Sequence, residues 1–225
     1  MKEVLVAKNI SYKYYDGQKE KIILDNACIS FDIGKFYAIF GESGSGKTTF
    51  LSMLGGLDNR YSGHICFEGK DINEIGLERY RRNLVSFIFQ DYNLISYMTV
   101  YDNLASAISI SKSNYGKKDI VDIINRIGMD DSILNKRVSK LSGGEKQRVA
   151  IARSVLMDSK IILADEPTGN LDKKTAWEII DLFRSLAKDF NKTIIMVTHN
   201  EAYFDYVDES YYLDQDLKRF IAYEH

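Results

Sequence analysis

An α/β fold wound around a buried parallel sheet is what this sequence predicts, on three observations. Four short apolar runs lack the alternation of half-exposed strands: FYAIF at Phe36–Phe40, VSFIF at 85–89, IILA at 161–164 and IIMVT at 194–198. Unbroken runs of this length suit strands covered on both faces, the habit of parallel sheets. Helical patterns lie between them, and alternating strand and helix implies crossover connections. Each run then gives way at once to unusual polar residues: GESGSGKTT, Gln90, Asp165 with Glu166, and His199. Ligands of open parallel sheets gather outside the carboxyl ends of the strands, so all four endings are expected on one edge.

Along the chain, the first ten residues lack a signal-peptide apolar region and no apolar run is long enough to cross a bilayer. A cytoplasmic protein is expected. Tyr12, Tyr14 and Tyr15 crowd one segment; a purine stacks well on such a ring, and each also suits an ordinary strand. Cys28 and Cys66, distant and without a CxxC spacing, read as two buried reduced thiols. A helix is expected over Lys47–Leu54. A second, over 143–157, opens at LSGGEKQRVA (141–150), where Ser142 and Glu145 have the S-x-x-E spacing of a capping box. Gly143 and Gly144 fit less well, since a glycine costs a helix interior about 0.8–1 kcal/mol against alanine. Bare backbone at a helix start is, however, an anion site. The third helix, 173–188, places Ala176, Ile179, Ile180, Phe183 and Leu186 or Ala187 on one face. After a last strand-like segment, 219–223, little chain remains for an appended regulatory domain.

Composition bounds the function. Apolar residues make up 45% of the 225, enough for a proper core. With 30 basic against 32 acidic residues the net charge is −2, so no global field holds nucleic acid or anionic lipid. There is no low-complexity tract, short-period repeat or evident linker.

The polar endings carry chemistry. Gly41-Glu42-Ser43-Gly44-Ser45-Gly46-Lys47-Thr48 fits G-x-x-x-x-G-K-[ST] between a strand and a helix. Backbone N–H groups of such a loop close around phosphates, Lys47 reaches the outer ones, and the Thr48 hydroxyl ligates Mg²⁺. Asp165 ends a buried strand, where a carboxylate needs a cation or hydrogen bonds, and Mg²⁺ supplies one. Glu166 is placed to take a proton from an attacking water. Gln90 alone is a weak signal, and His199 gains meaning from its place at a fourth strand end, where it would bond a terminal phosphate.

With the phosphate loop, LSGGEKQ, ADEPTGNLD and VTHN in this order, the chain resembles the ATP-binding-cassette (ABC) ATPases over essentially its whole length. ADEPTGNLD and QDYNLISYMTVYDNL look most like the subgroup serving macrolide export, lipoprotein release, bacitracin-type peptide resistance and the cell-division permease partner. The single proline, Pro167, falls at that family's Walker B corner. The resemblance implies a P-loop NTPase fold: a RecA-like core with a parallel sheet, an N-terminal antiparallel β subdomain and a helical subdomain. The core would span about 1–90 and 156–225, the helical part about 91–155. It implies that Tyr14 stacks on adenine, that Gly41 to Thr49 (with Ser43, Ser45 and Thr48) form the Walker A loop, and that Gln90 touches metal and water. Asp165 would hold Mg²⁺, Glu166 would be the base, Asn170, Leu171 and Asp172 the D-loop, and His199 the switch. Two copies would pair head to tail, each presenting Ser142, Gly143, Gly144 and Glu145 to the other's ATP.

The implied function is an ATP-hydrolysing subunit, peripheral on the inner face of the cell membrane, that powers a separate integral membrane permease. Export or extraction of a hydrophobic, peptide or lipid-linked substrate is expected; the alternative is a regulatory ATPase driving a permease-like protein that transports nothing. Translation and DNA machines of the family fit poorly, because this chain has neither tandem cassettes nor long coiled coils. Tyr97, Met98 and Tyr101 read first as subdomain core and second as surface for the permease.

Overall fold

The computed structural model describes residues 2–17 and 19–223. The chain opens with a long antiparallel hairpin, β1 (Glu3–Asp16) on β2 (Lys19–Asp32). Its inner face buries Leu5, Ala7, Ile10 and Tyr12 of one strand and Ile23, Ala27, Ile29 and Phe31 of the other. Cys28 falls between buried Ala27 and Ile29, so the period of two turns it outward, and it is exposed; Cys66 is half-buried. The expectation of two buried thiols is thus corrected: apolar neighbours in a strand occupy the opposite face.

After the hairpin come β3 (Phe36–Phe40), α1 (Lys47–Leu54), β4 (Ser62–Phe67), β5 (Lys70–Asp71), α2 (Ile72–Ile75), α3 (Leu77–Asn83) and β6 (Val85–Ile88). Then follow α4 (Val100–Ser111), α5 (Lys117–Arg126), α6 (Gly143–Leu156), β7 (Ile161–Asp165), α7 (Lys173–Phe190), β8 (Thr193–Val197), β9 (Glu209–Leu213) and β10 (Phe220–Ala222). The hairpin, β4 and β5 form one antiparallel sheet in the order β2-β1-β4-β5. The second sheet runs β10-β9-β3-β8-β7-β6; β9 to β6 are parallel and β10 lies antiparallel at the edge.

The predicted runs are buried on both faces, as their lack of alternation required. From β3, Phe36, Ala38 and Phe40 enter a core shared with α4 to α7, while Tyr37 and Ile39 enter one shared with α1 and the antiparallel sheet. Each large apolar side chain among them, such as Phe36, Phe40 or Ile39, contributes about 1.5–3 kcal/mol on burial. Helix α7 sinks Ala176, Ile179, Ile180, Phe183, Leu186 and Ala187, and runs to Phe190, two residues past the predicted end. The core reading of Tyr97 is overturned. It is 73% exposed, because it lies in the loop before Thr99, the N-cap of α4, and belongs to no helical face. Met98 is half-buried, and Tyr101 packs against the helical core.

Candidate functional site

The loop from Gly41 to Gly46 joins β3 to α1 at the carboxyl edge of the parallel sheet. Gly46 is the N-cap of α1, with φ +105 and no side-chain cap, so the first-turn N–H groups are bare. A Cβ there would fall 2.2 Å from Ile23 Cγ2, so β2 also demands glycine. Ser45 is buried and its Oγ has no hydrogen-bond partner among the described residues, which fits a loop made to close on a polar ligand. Lys47 is buried as well, its Nζ donating to the carbonyls of Gly41 (2.7 Å) and Glu42 (2.8 Å). Burial pushes its pKa down, against the pull of the Glu166 and Asp165 charges.

Thr48 Oγ1 donates to Asp165 Oδ1 at 2.9 Å, tying the first turn of α1 to the end of β7. Burial raises the Asp165 pKa and the neighbouring Glu166 charge adds to it, while the Thr48 bond and Lys47 oppose. The next residue, Glu166, adopts left-handed backbone at φ +43. For a non-glycine residue this costs about 1–3 kcal/mol and points to a functional constraint. It is held there by its N–H, which donates to Val197 O at 3.0 Å. Its carboxylate lies 2.9 Å from His199 Nδ1 and accepts from Thr198 Oγ1 at 3.2 Å. A cleft of about 340 Å³ runs from Tyr14, Lys21 and Ile23 on the hairpin, past Ser43, Gly44, Lys47 and Thr49, to Glu166 and His199.

Of the three tyrosines, Tyr14 lines this cleft and is 37% exposed. Tyr12 is buried and donates to Asp58, and Tyr15 lies outside the cleft. Gln90 is also outside it, exposed, and exchanges hydrogen bonds with Asn170: Gln90 Nε2 to Asn170 Oδ1 at 3.4 Å, Asn170 Nδ2 to Gln90 O at 3.2 Å. Asp172 caps α7 by accepting from the Lys174 and Thr175 N–H groups. Ser142 and Glu145 form the reciprocal capping box of α6, at 2.8 and 3.3 Å, and the backbone bond from Ser142 holds the Glu145 pKa down. Ser142 to Glu145 do not line the cleft. Gly143 faces Tyr92 and Leu171, and a Cβ on Gly144 would fall 2.6 Å from Thr175 Cγ2 on α7. Lys21, Ile23 and Thr198 were not expected from the sequence. Thr198 had a signal, as the residue before His199 in VTHN; Lys21 and Ile23 had none, because the register of β2 is invisible without its partner strand.

The donors suit a hard cation: Thr48 and Asp165 present oxygens side by side, as Mg²⁺ prefers. Among the described residues no group of three His, Cys, Asp or Glu side chains is placed to hold a metal alone. Phosphate oxygens of a ligand would complete such a site.

Comparison with known proteins agrees in family and fold. The ABC transporter family profile matches residues 24–169. The chain is 44% identical over 190 residues to the uncharacterized ABC transporter ATP-binding protein YclH of Bacillus subtilis, covering 84% of each. It is 38% identical over 215 residues to the lipoprotein-releasing system ATP-binding protein LolD of Rickettsia bellii, covering 94% of this chain and 95% of LolD. Its fold superposes with TM-score 0.86 on the dimeric post-hydrolysis ATP-binding cassette MJ0796 bound to ADP and Pi, at 29% identity over 98% of both chains.

Proposed function

The chain belongs to the ABC transporter family of ATP-binding proteins, and we propose that its cleft binds ATP with Mg²⁺ and hydrolyses it to drive a separate membrane permease. The observation that carries this reading is the convergence on one cleft of Lys47, Thr48 and the Glu166–His199 pair, with Asp165 bonded to Thr48 just behind it. In it, adenine stacks on Tyr14, and the phosphates lie along the N–H groups of Gly41 to Thr49. Lys47 exchanges two loop carbonyls for phosphate oxygens. Thr48, Asp165 and Gln90 would hold Mg²⁺, which neutralises charge on the phosphates. Glu166 accepts a proton from the water that attacks the γ-phosphorus; the bond to the bridging oxygen breaks, leaving ADP and inorganic phosphate. His199 orients Glu166 and bonds the leaving phosphate.

Two copies pair head to tail, so that Ser142, Gly143, Gly144 and Glu145 of one face the phosphates held by the other, with Asn170, Leu171 and Asp172 at the seam. The dimeric arrangement of the MJ0796 cassettes supports this. Residues about 91–155 act as the helical subdomain. The permease holds the dimer at the inner face of the membrane; no helix among the described residues is long and apolar enough to span it. Lipoprotein-releasing relatives support export or extraction of a lipid-linked or peptide substrate.

Glu166→Gln tests the reading. Hydrolysis is expected to fall about 100-fold or more while ATP binding persists, so an ATP-dependent dimer accumulates on a sizing column. Wild-type turnover in that variant would sink the base assignment.

A further inference from the structure

We infer that Lys21 is a nucleotide-binding residue, its ammonium supplying positive charge to the nucleotide's phosphates from the Tyr14 end of the cleft. The inference rests on the ATP-binding reading above and adds a contact to it. Lys21 stands directly across the β1–β2 pair from Tyr14, so the two side chains share one face of the hairpin. Its Nζ lies over the Tyr14 ring, 5.8 Å from the centroid, within cation–π range. Both residues line the same cleft as Ser43, Gly44 and Lys47. The neighbouring cation on the hairpin, Lys13, is neutralised by Glu20 at 2.8 Å, whereas Lys21 makes no ion pair among the described residues.

A lysine held by a ring instead of a carboxylate keeps its full charge for a ligand. The geometry holds that charge beside the ring on which the base stacks, in a cleft whose far end is the phosphate loop. Lys47 reaches the outer phosphates; Lys21, beside Tyr14, serves those nearest the base. Charge, not ring packing, is the working element, so the contact discriminates phosphorylated nucleotides from the bare nucleoside.

The test is equilibrium titration of the full chain with ATP and with adenosine, without Mg²⁺ so that no hydrolysis occurs, at low and high salt. Lys21→Met is expected to raise the Kd for ATP about three- to fivefold at low salt and less at high salt, with adenosine unchanged. Lys21→Glu should weaken ATP further, and Lys21→Arg should hold it near wild type. With Mg²⁺ present, KM rises in Lys21→Met while kcat stays. Thermal melts of the variants check folding, which an exposed side chain should leave intact. Unchanged ATP affinity in both Lys21→Met and Lys21→Glu would overturn the inference alone, as would equal weakening of ATP and adenosine. Failure of the wild-type chain to bind ATP would overturn the nucleotide reading, and this contact with it.

Discussion

A carboxylate at the end of a buried strand resists its own charge. Asp165 is such a group: burial raises its pKa and Glu166 beside it adds to the effect, with only Thr48 and Lys47 opposing. The folded state therefore binds the proton more tightly than the unfolded one. The stability this gives is present below the ordinary carboxylate pKa and is lost as pH rises through the raised one. Asp165→Asn keeps an acceptor for Thr48 and removes the charge. The nucleotide-free variant is expected to melt about 1–3 °C above wild type at pH 7, a shift kept small by partial solvent screening. The gap should close as pH falls into the acidic range, and a lower melting temperature at pH 7 would refute the argument. Asp165 was legible in the sequence because a charge at the end of IILA, in a chain with a phosphate loop, outweighs the bland reading of a strand-to-turn corner. Cys28 and Tyr97 were not, because both depend on which way one side chain turns: a strand face for the first, a loop for the second.

Elements were legible wherever period and punctuation agreed. The four apolar strands and the helices α1, α6 and α7 appear within two or three residues of their predicted ends. The long hairpin and the small elements α2, α3 and β5 were not placed individually, since bulged registers and four- to seven-residue helices leave weak periodic traces. The tip of α6 carries a second demand for glycine that sequence alone does not show. Its two glycines were read as bare backbone for an anion, yet Gly144 is already required within the chain, with Thr175 Cγ2 only 2.6 Å from where its Cβ would stand. Gly144→Ala should therefore destabilise the monomer by about 1–3 kcal/mol, as overpacking does. Thr175→Ser removes the offending methyl and keeps the hydroxyl that bonds Asp172 at 2.6 Å. The double variant should recover most of the loss in urea denaturation. If it does not, the contact with α7 is not what fixes glycine at this position.

At the scale of the whole molecule, the proposed function makes the cleft one half of a working site. It holds the phosphate loop, Glu166 and His199, while Ser142 to Glu145 stand outside it against Tyr92, Leu171 and Thr175. In the proposed pairing the other half comes from a second copy, which the sequence indicated only through its family resemblance. An isologous pair supplies both halves twice, and the mixing of two damaged chains separates this arrangement from a site complete in one. Lys47→Ala spoils the phosphate loop, and Ser142→Arg places bulk and charge at the α6 tip. Each alone should be nearly inactive, since every site in either homodimer contains one damaged half. In an equal mixture about half the dimers are mixed, and each mixed dimer carries one site with both halves intact. Recovery of about a quarter of wild-type turnover is then expected if the sites act independently. Full turnover by Ser142→Arg alone would place the working site within a single chain and end the argument for action across the pair.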